Sequence, residues 1–295
     1  MIDRLDHQPE IRRFLQTHFS ANDWKFSLPS GTGRESYFAQ GNGQSYFVKV
    51  GVQVERYLAM AEIGLTPPIL VHGQLNSTSS VIVQPFTEGR RPGRFDYRNQ
   101  LIEVAGCIHK MYSSQRLRKI LPSVPSNLYE DAGLRALNYL RQKWERYKTQ
   151  VPTVAEFVEE SFEYLAKQVN LFKGEGLVVS HGDICNANWL FGSDGQIYLL
   201  DFESMAMDDP ALDMGALLWW YYPPELRQPF LEAAGYPYDS MFKFRMQVRM
   251  AMHCLSITLP REQSFDTLDP HHYEKSLRDF RAILNDEENP EGYNS

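Results

Sequence analysis

The chain has 295 residues, 37 acidic against 30 basic, and a formal charge of −7. A pI near 5.7 argues against binding to a nucleic-acid backbone, which calls for a basic protein or a concentrated basic face. With 43% hydrophobic and 23% charged residues the chain is built to bury a core, and no stretch approaches the roughly 18 apolar residues of a spanning helix.

Met1–Glu10 holds five charged or histidine side chains and no apolar run, so it does not read as a signal peptide. Three widely spaced cysteines without a CxxC suit a reducing, cytoplasmic setting and point to no thiolate metal site. The short basic run Arg90-Arg91-Pro92-Gly93-Arg94 sits among turn residues and reads as a solvated loop. These features predict a soluble cytoplasmic protein with neither a nucleic-acid nor a membrane partner.

In chain order, Pro9–Phe19 is expected to be an amphipathic helix, with Ile11, Phe14, Leu15 and Phe19 at helical spacing. Strands are expected at Trp24–Leu28, Ser36–Gln40 and Ser45–Val50, the last two joined by the hairpin turn Gly41-Asn42-Gly43. Val52–Ile63 reads as a helix stopped by Gly64, and Ile69–Gly73 and Ser80–Phe86 as two further strands. Beyond a crossover near residues 85–95, helical periodicity marks Tyr97–Tyr112, Tyr129–Tyr147 and Val154–Phe172. Short strands return at Leu177–Val179, Trp189–Phe191 and Ile197–Leu200; Ala211–Tyr222, Asp239–Leu259 and Tyr273–Leu284 are again helical. The acidic tail from Asn285 is expected to fray. The fold class is therefore α+β, with a small β-rich lobe at residues 1–88 and a mostly helical lobe at residues 89–295.

The chemistry is concentrated in VVSHGDICNANWLFGSDGQIYLLDF, Val178–Phe202. An apolar strand runs into His181-Gly182-Asp183, Asn188 follows five residues after Asp183, and a hairpin ends on Asp201-Phe202. Phosphoryl transfer needs one carboxylate to orient the attacking hydroxyl and accept its proton. It also needs a carboxylate and an amide to hold Mg²⁺ against the phosphates. The order matches the protein-kinase signature of Asp, Asn and a metal-binding Asp-Phe-Gly. Asp183 is then the expected base, with Asn188 and Asp201 as metal ligands. The competing reading is an Asx-rich turn in which Asp183 and Asn188 cap backbone groups.

Upstream, Lys49 lies in the strand Tyr46–Val50 and is expected to bind phosphate, paired with Glu55 or, second, Glu62 of the following helix. Ser30–Ser36, including Ser30, Gly31 and Gly33, is not a full GxGxxG and reads as either a phosphate-covering turn or a plain hairpin. Backbone groups near Gln84–Phe86 are expected to bond adenine.

HGDICNAN, LLDFE and DDPALDMG resemble the aminoglycoside phosphotransferase and choline kinase family, a branch of the protein-kinase-like fold. The resemblance runs from about Trp24 to the last helix and is sharpest over Val178–Leu217; the WWYYPP that follows is similar to uncharacterised bacterial phosphotransferases. It implies a two-lobed fold that binds ATP and Mg²⁺ and moves the γ-phosphate to an alcohol of a small molecule. It also implies that residues 1–88 are the nucleotide-binding lobe and residues 89–295 carry the catalytic loop and acceptor site. Asp213 matches the aspartate that buttresses the catalytic loop, and His181 is expected to hold that loop by hydrogen bonds. Departures from protein kinases are Cys185 in place of a lysine, Glu203 in place of the Asp-Phe-Gly glycine, and Asp208-Asp209-Pro210 only seven residues after Asp201. They favour a small acceptor; a protein kinase of the same fold and a non-catalytic nucleotide-binding module are the alternatives.

Five carboxylates, Asp201, Glu203, Asp208, Asp209 and Asp213, crowd one stretch. Any surplus over metal and loop support would favour a cationic acceptor such as an amino sugar or choline; otherwise the stretch is a solvated acidic turn. Trp219-Trp220-Tyr221-Tyr222 fits core packing better than an aromatic cage, because four consecutive helical residues face different ways.

Overall fold

The computed structural model describes residues 7–29, 36–259 and 270–294. The elements are α1 (Gln8–His18), β1 (Lys25–Ser27), β2 (Ser36–Gly41), β3 (Gln44–Val50), α2 (Val54–Glu62), β4 (Val71–Gln74), β5 (Ser80–Pro85) and β6 (Gly89–Arg90). Next come α3 (Arg94–Asn99), α4 (Leu101–Tyr112), α5 (Gln115–Ile120), α6 (Tyr129–Tyr147), α7 (Ala155–Val169), β7 (Val178–Ser180), β8 (Trp189–Gly192), β9 (Ile197–Leu199) and β10 (Ala206–Asp208). The chain ends with α8 (Ala211–Tyr221), α9 (Pro224–Ala234), α10 (Ser240–Thr258) and α11 (Pro270–Leu284). Residues 1–91 with 187–204 form one compact unit, and residues 92–186 with 205–295 form another.

The first unit is an antiparallel sheet of order β1-β2-β3-β5-β4. Asn42 and Gly43 both take positive φ, 49° and 75°, the two-residue turn that matches the right-handed twist of the β2–β3 hairpin. Strand alternation sends Tyr37, Ala39, Tyr46, Val48, Val81 and Val83 into a core covered by Ile11 and Leu15 of α1. The same alternation puts Phe38, Phe47, Lys49, Ile82 and Gln84 on the opposite face, where Phe38 pairs with Phe47, Phe47 with Gln84 and Lys49 with Ile82. A β6-β8-β9 sheet completes the unit, reinforced by a bond from Leu199 N–H to the Leu65 carbonyl (2.7 Å).

In the second unit α8 is apolar on nearly every side and buried, as expected of a central helix. A Cβ on its Gly215 would stand 2.7 Å from the Met246 carbonyl oxygen, so glycine is what lets α8 lie against α10. β10 pairs antiparallel with β7, Asp208 opposite Val178 and Ala206 opposite Ser180. The elements without an expectation from sequence are β6, α5, β10 and α9, all short or opened by proline, and the expected helix Tyr97–Tyr112 is divided at Gln100 into α3 and α4.

The tail departs from the expected fraying. Tyr293 donates to the Trp219 carbonyl (3.2 Å), and buried Asn289 donates to the Trp220 carbonyl (3.4 Å). Glu291 meets Arg94 (3.1 Å), Lys275 (3.0 Å) and Arg278 (3.1 Å). Arg94, expected in a solvated loop, also donates to the Trp220 carbonyl (2.9 Å). Burial would raise the Glu291 carboxyl, but hydrogen bonds from Lys275, Arg278 and Arg94 outweigh it and hold the group at about 2. A folded value below the ordinary 4.5 means that this contribution is complete above pH 4.5 and is lost as pH falls toward 2. Acid should therefore loosen the tail across that window. Hydrogen exchange over residues 286–294 is expected to accelerate across that window in the native protein, and already at neutral pH in Glu291→Gln.

Candidate active site

In the β-rich unit, Lys49 projects from β3 on the sheet face that carries Phe47, and its side chain is 9% exposed. Its ammonium meets three oxygens: Tyr57 Oη at 2.6 Å, Asp201 Oδ1 at 3.1 Å and Glu203 Oε2 at 3.4 Å. Three donors meet three acceptors. The expected pairing with Glu55 or Glu62 is not what the structure shows. Both glutamates stand exposed on α2, while Tyr57, two residues from Glu55 and so on another side of the helix, is the residue turned toward Lys49.

Asp201 follows β9 with φ +63°, a left-handed conformation that costs a non-glycine residue energy and tends to mark functional sites. Its side chain remains 48% exposed. The backbone just after it is gripped by buried Arg56, whose Nη1 donates to the carbonyls of Phe202 (2.7 Å) and Glu203 (2.8 Å). The Tyr57 and Phe202 rings pack at 4.7 Å. Hairpin register then brings in Asn188: Trp189 pairs with Leu199, and Leu200 N–H donates to the Asn188 carbonyl (2.8 Å), placing Asn188 beside the strand end that leads to Asp201. Burial, followed by the hydrogen bond and charge of Asp201, pushes the Glu203 carboxyl up to about 7 against the opposing pull of Lys49.

At the sheet edge the Phe86 N–H is given to the Ser45 carbonyl (3.0 Å), and Pro85 has no N–H. The Gln84 side-chain amide donates to Thr66 Oγ1 (3.2 Å) and the Pro67 carbonyl (2.7 Å). The backbone donor expected of Gln84–Phe86 is therefore already committed at Phe86, and Thr87 is the next residue along the chain. Phe38 lies 5.9 Å from Phe47 and 5.4 Å from Phe86, ring to ring. Ser30, Gly31 and Gly33 lie outside the described residues.

In the helical unit, buried β7 delivers His181 and Gly182 to Asp213, which stands in the first turn of α8. The Asp213 carboxylate accepts from His181 N–H (2.7 Å) and Gly182 N–H (3.0 Å), and from Tyr112 Oη (3.3 Å). Its complete burial raises the carboxyl above its ordinary range, with His181 and those N–H bonds opposing. Gly182 turns with φ +76°, and Asp183 N–H then donates to His181 Nδ1 (3.3 Å). The loop is tied further along by Tyr221, whose hydroxyl accepts from Asn186 N–H (2.8 Å). Tyr221 stacks on Tyr97 at 4.4 Å, and Tyr222, fully buried, packs on Phe230; these aromatics are core and loop support.

The acidic stretch is not a surplus, and of its five carboxylates only Asp201 stays exposed. Asp209, 0% exposed, pairs with Arg245 (2.9 Å), and Asp208 pairs with Arg249 (2.8 Å). Burial raises the Asp209 carboxyl while Arg245 and Arg249 pull the other way. Asp213 serves the loop, and Asp201 and Glu203 share Lys49, so each of the five carboxylates has a partner within the chain. Tyr57, Arg56, Tyr221 and these two arginines are the site residues that sequence reasoning missed. The arginines alone left a signal: Arg245 and Arg249 stand four residues apart, one helical turn, among the apolar Met246, Val248 and Met250.

Among the described residues no three His, Cys, Asp or Glu side chains gather into a metal cage. That donor set fits Mg²⁺ delivered with a nucleotide, because Mg²⁺ takes one or two protein oxygens and completes its shell with phosphates and water. The partly exposed Asp201 carboxylate and the Asn188 amide are hard-oxygen donors of that kind. No helix among the described residues is long and apolar enough to cross a membrane.

Comparison with known proteins bears on the fold and the family. APH(2")-IIia, solved with GDP and kanamycin, is 13% identical with a TM-score of 0.65, over 95% of this chain and 99% of its own. A choline/ethanolamine kinase family protein from Mesorhizobium loti is 15% identical with a TM-score of 0.68, covering 94% of each chain. The choline kinase LicA from Streptococcus pneumoniae is 14% identical with a TM-score of 0.62, over 92% of this chain and 98% of its own. At such identities the likeness establishes the kinase-like α+β fold. The family model described as "Phosphotransferase enzyme family" matches residues 28–244, well over half of the chain. The chain belongs to the phosphotransferase enzyme family and has a kinase-like fold.

Proposed function

We propose that the protein transfers the γ-phosphate of ATP to a hydroxyl group of a small molecule in a Mg²⁺-dependent reaction. The observation that carries this reading is the Lys49–Asp201 pair at 3.1 Å, held at a strained backbone position with Asn188 alongside in the hairpin register. Lys49 binds the phosphates; Asp201 and Asn188 are the residues to hold the metal. Mg²⁺ held by these two residues would supply the positive charge that offsets charge developing on the phosphates. The half-buried rings of Phe38 and Phe47 receive the nucleobase, with the Pro85 carbonyl and Thr87 N–H at its edge.

Asp183 orients the acceptor hydroxyl and takes its proton as the acceptor oxygen bonds to phosphorus and the bond to ADP breaks. His181 and Asp213 hold the loop. The span from Asp201 to Asp209 favours a small acceptor over a protein, because β10 begins at Ala206 and pairs directly with β7, leaving no room for a long activation segment. Relatives of the fold carry kanamycin in one case and are choline kinases in another, so amino sugars and amine alcohols head the acceptor candidates. The balanced carboxylates of this chain supply no further argument for a cation.

The test is coupled ADP release over amine alcohols, aminoglycosides, sugars and vitamins, with Mg²⁺ present and then chelated. Acceptor-stimulated turnover that chelation abolishes and Asp201→Asn lowers at least 100-fold is the expected result. ATP binding without turnover across the whole set would instead make the protein a nucleotide-binding module. Label passing to a protein and to no metabolite would make it a protein kinase.

A further inference from the structure

In kinases of this fold the phosphate-binding lysine is held by a glutamate of the following helix. Here α2 has two glutamates, both exposed, and the buried Lys49 ammonium bonds Tyr57, Asp201 and Glu203 instead. The α2 atom that reaches the ammonium is the Tyr57 hydroxyl, at 2.6 Å, on a residue 3% exposed.

We propose that Tyr57 is the positioning residue for Lys49, in place of a helical glutamate, and that its neighbour Arg56 ties the Asp201–Glu203 segment to the same helix. The inference rests on the reading of Lys49 as the phosphate-binding lysine. One turn of α2 then controls both partners of the Lys49–Asp201 pair. Tyr57 accepts from Lys49 and reaches Glu203 Oε1 at 3.5 Å, and its ring supports Phe202. Arg56 holds the Phe202 and Glu203 carbonyls just after the strained Asp201.

The substitution has a chemical consequence. A helical carboxylate would cancel part of the lysine's charge, whereas a phenol directs the ammonium and leaves that charge intact for phosphate. Burial, with the charges of Glu203 and Asp201, pushes the Tyr57 phenol well above its ordinary range, so it stays a neutral hydroxyl. Charge balance in the resting site falls to Asp201 and Glu203, residues that also lie where nucleotide phosphates and their metal would arrive.

Tyr57→Phe deletes one oxygen and keeps the ring on Phe202, so the fold should persist with a nearly unchanged Tm. kcat/KM for MgATP, read as ADP release with water or any accepted alcohol, is expected to fall about 10–100-fold, as for a lost hydrogen bond to a charged group. MgATP affinity by titration calorimetry is the second measurement. A Lys49→Ala, Tyr57→Phe double variant should be no worse than Lys49→Ala alone, because the close bond of the deleted oxygen is to the lysine, at 2.6 Å against 3.5 Å to Glu203. Additive losses in the double variant, or wild-type kcat/KM and affinity in Tyr57→Phe while Lys49→Ala is impaired, would overturn the proposal. Wild-type behaviour of Lys49→Ala would overturn the reading of Lys49 itself, a different result. Arg56→Met should weaken MgATP use even with Lys49 intact, since its grip is on the backbone after Asp201.

Discussion

Asp183→Ala should lower kcat by about 10²–10⁴-fold, the range for loss of a positioned general base, while Tm stays near wild type. The split follows from how the loop is held. Asp213 grips the His181 and Gly182 amides, and Tyr221 grips that of Asn186, so the backbone around residue 183 is fixed by groups other than its carboxylate. The bond from Asp183 to His181 Nδ1 uses the backbone N–H, and alanine keeps that N–H. The check is kcat from acceptor-stimulated ADP release beside a thermal melt. Wild-type turnover in a folded Asp183→Ala protein would remove Asp183 from the mechanism. A loss matched by a fall in Tm would make it a loop residue, as in the Asx-turn reading.

The largest effect on stability is expected at Asp209. Asp209→Ala leaves the Arg245 guanidinium buried, its side chain 6% exposed, without its carboxylate, and should destabilise by about 3–5 kcal/mol. A large desolvation cost with poor compensation is the physical reason: the guanidinium keeps a contact over the Tyr129 ring at 3.9 Å and a long bond to the Lys173 carbonyl at 3.5 Å, but no anion. Replacing both partners by apolar side chains, Asp209→Leu with Arg245→Met, should recover most of the loss, because no buried charge is then left alone. Urea unfolding of the two proteins decides it. Destabilisation under 1 kcal/mol in Asp209→Ala would mean that water reaches Arg245 and that the pair is a surface feature.

The arginine pairs also explain why the acidic stretch misleads when read locally. Asp208 and Asp209 lie next to Asp201 and Glu203 in sequence, yet they face Arg249 and Arg245, which come 41 and 36 residues later. Pairing of β10 with β7 sets Asp208 opposite Val178, and the close fit of α8 and α10 at Gly215 brings the arginines up to it. Charge count along a chain carries no information about that closure.

What the sequence determines here is whatever depends on neighbours a few residues away. Period-two and period-3.6 apolar patterns locate the five-strand sheet and the long helices, and Asn42-Gly43 places a turn that requires positive φ. The spacing of Asp183, Asn188 and Asp201 on a strand, loop and hairpin is likewise local, and it marks the candidate catalytic segment from the chain alone. Short elements such as β6 and β10 escape because two or three residues carry no period. Tertiary structure alone decides which partner each charge meets. Glu55 and Tyr57 are two residues apart, and only the rotation of α2 against β3 buries the tyrosine on Lys49 and leaves the glutamate at the surface. The tail is acidic and contains Pro290 and Gly292, so on composition it should fray. It is held because Arg94, Lys275, Arg278 and the Trp219 and Trp220 carbonyls, distant in sequence, converge on it in space. Hydrophobic periodicity is written along the chain, but hydrogen bonds and ion pairs are specific to positions that only packing brings together.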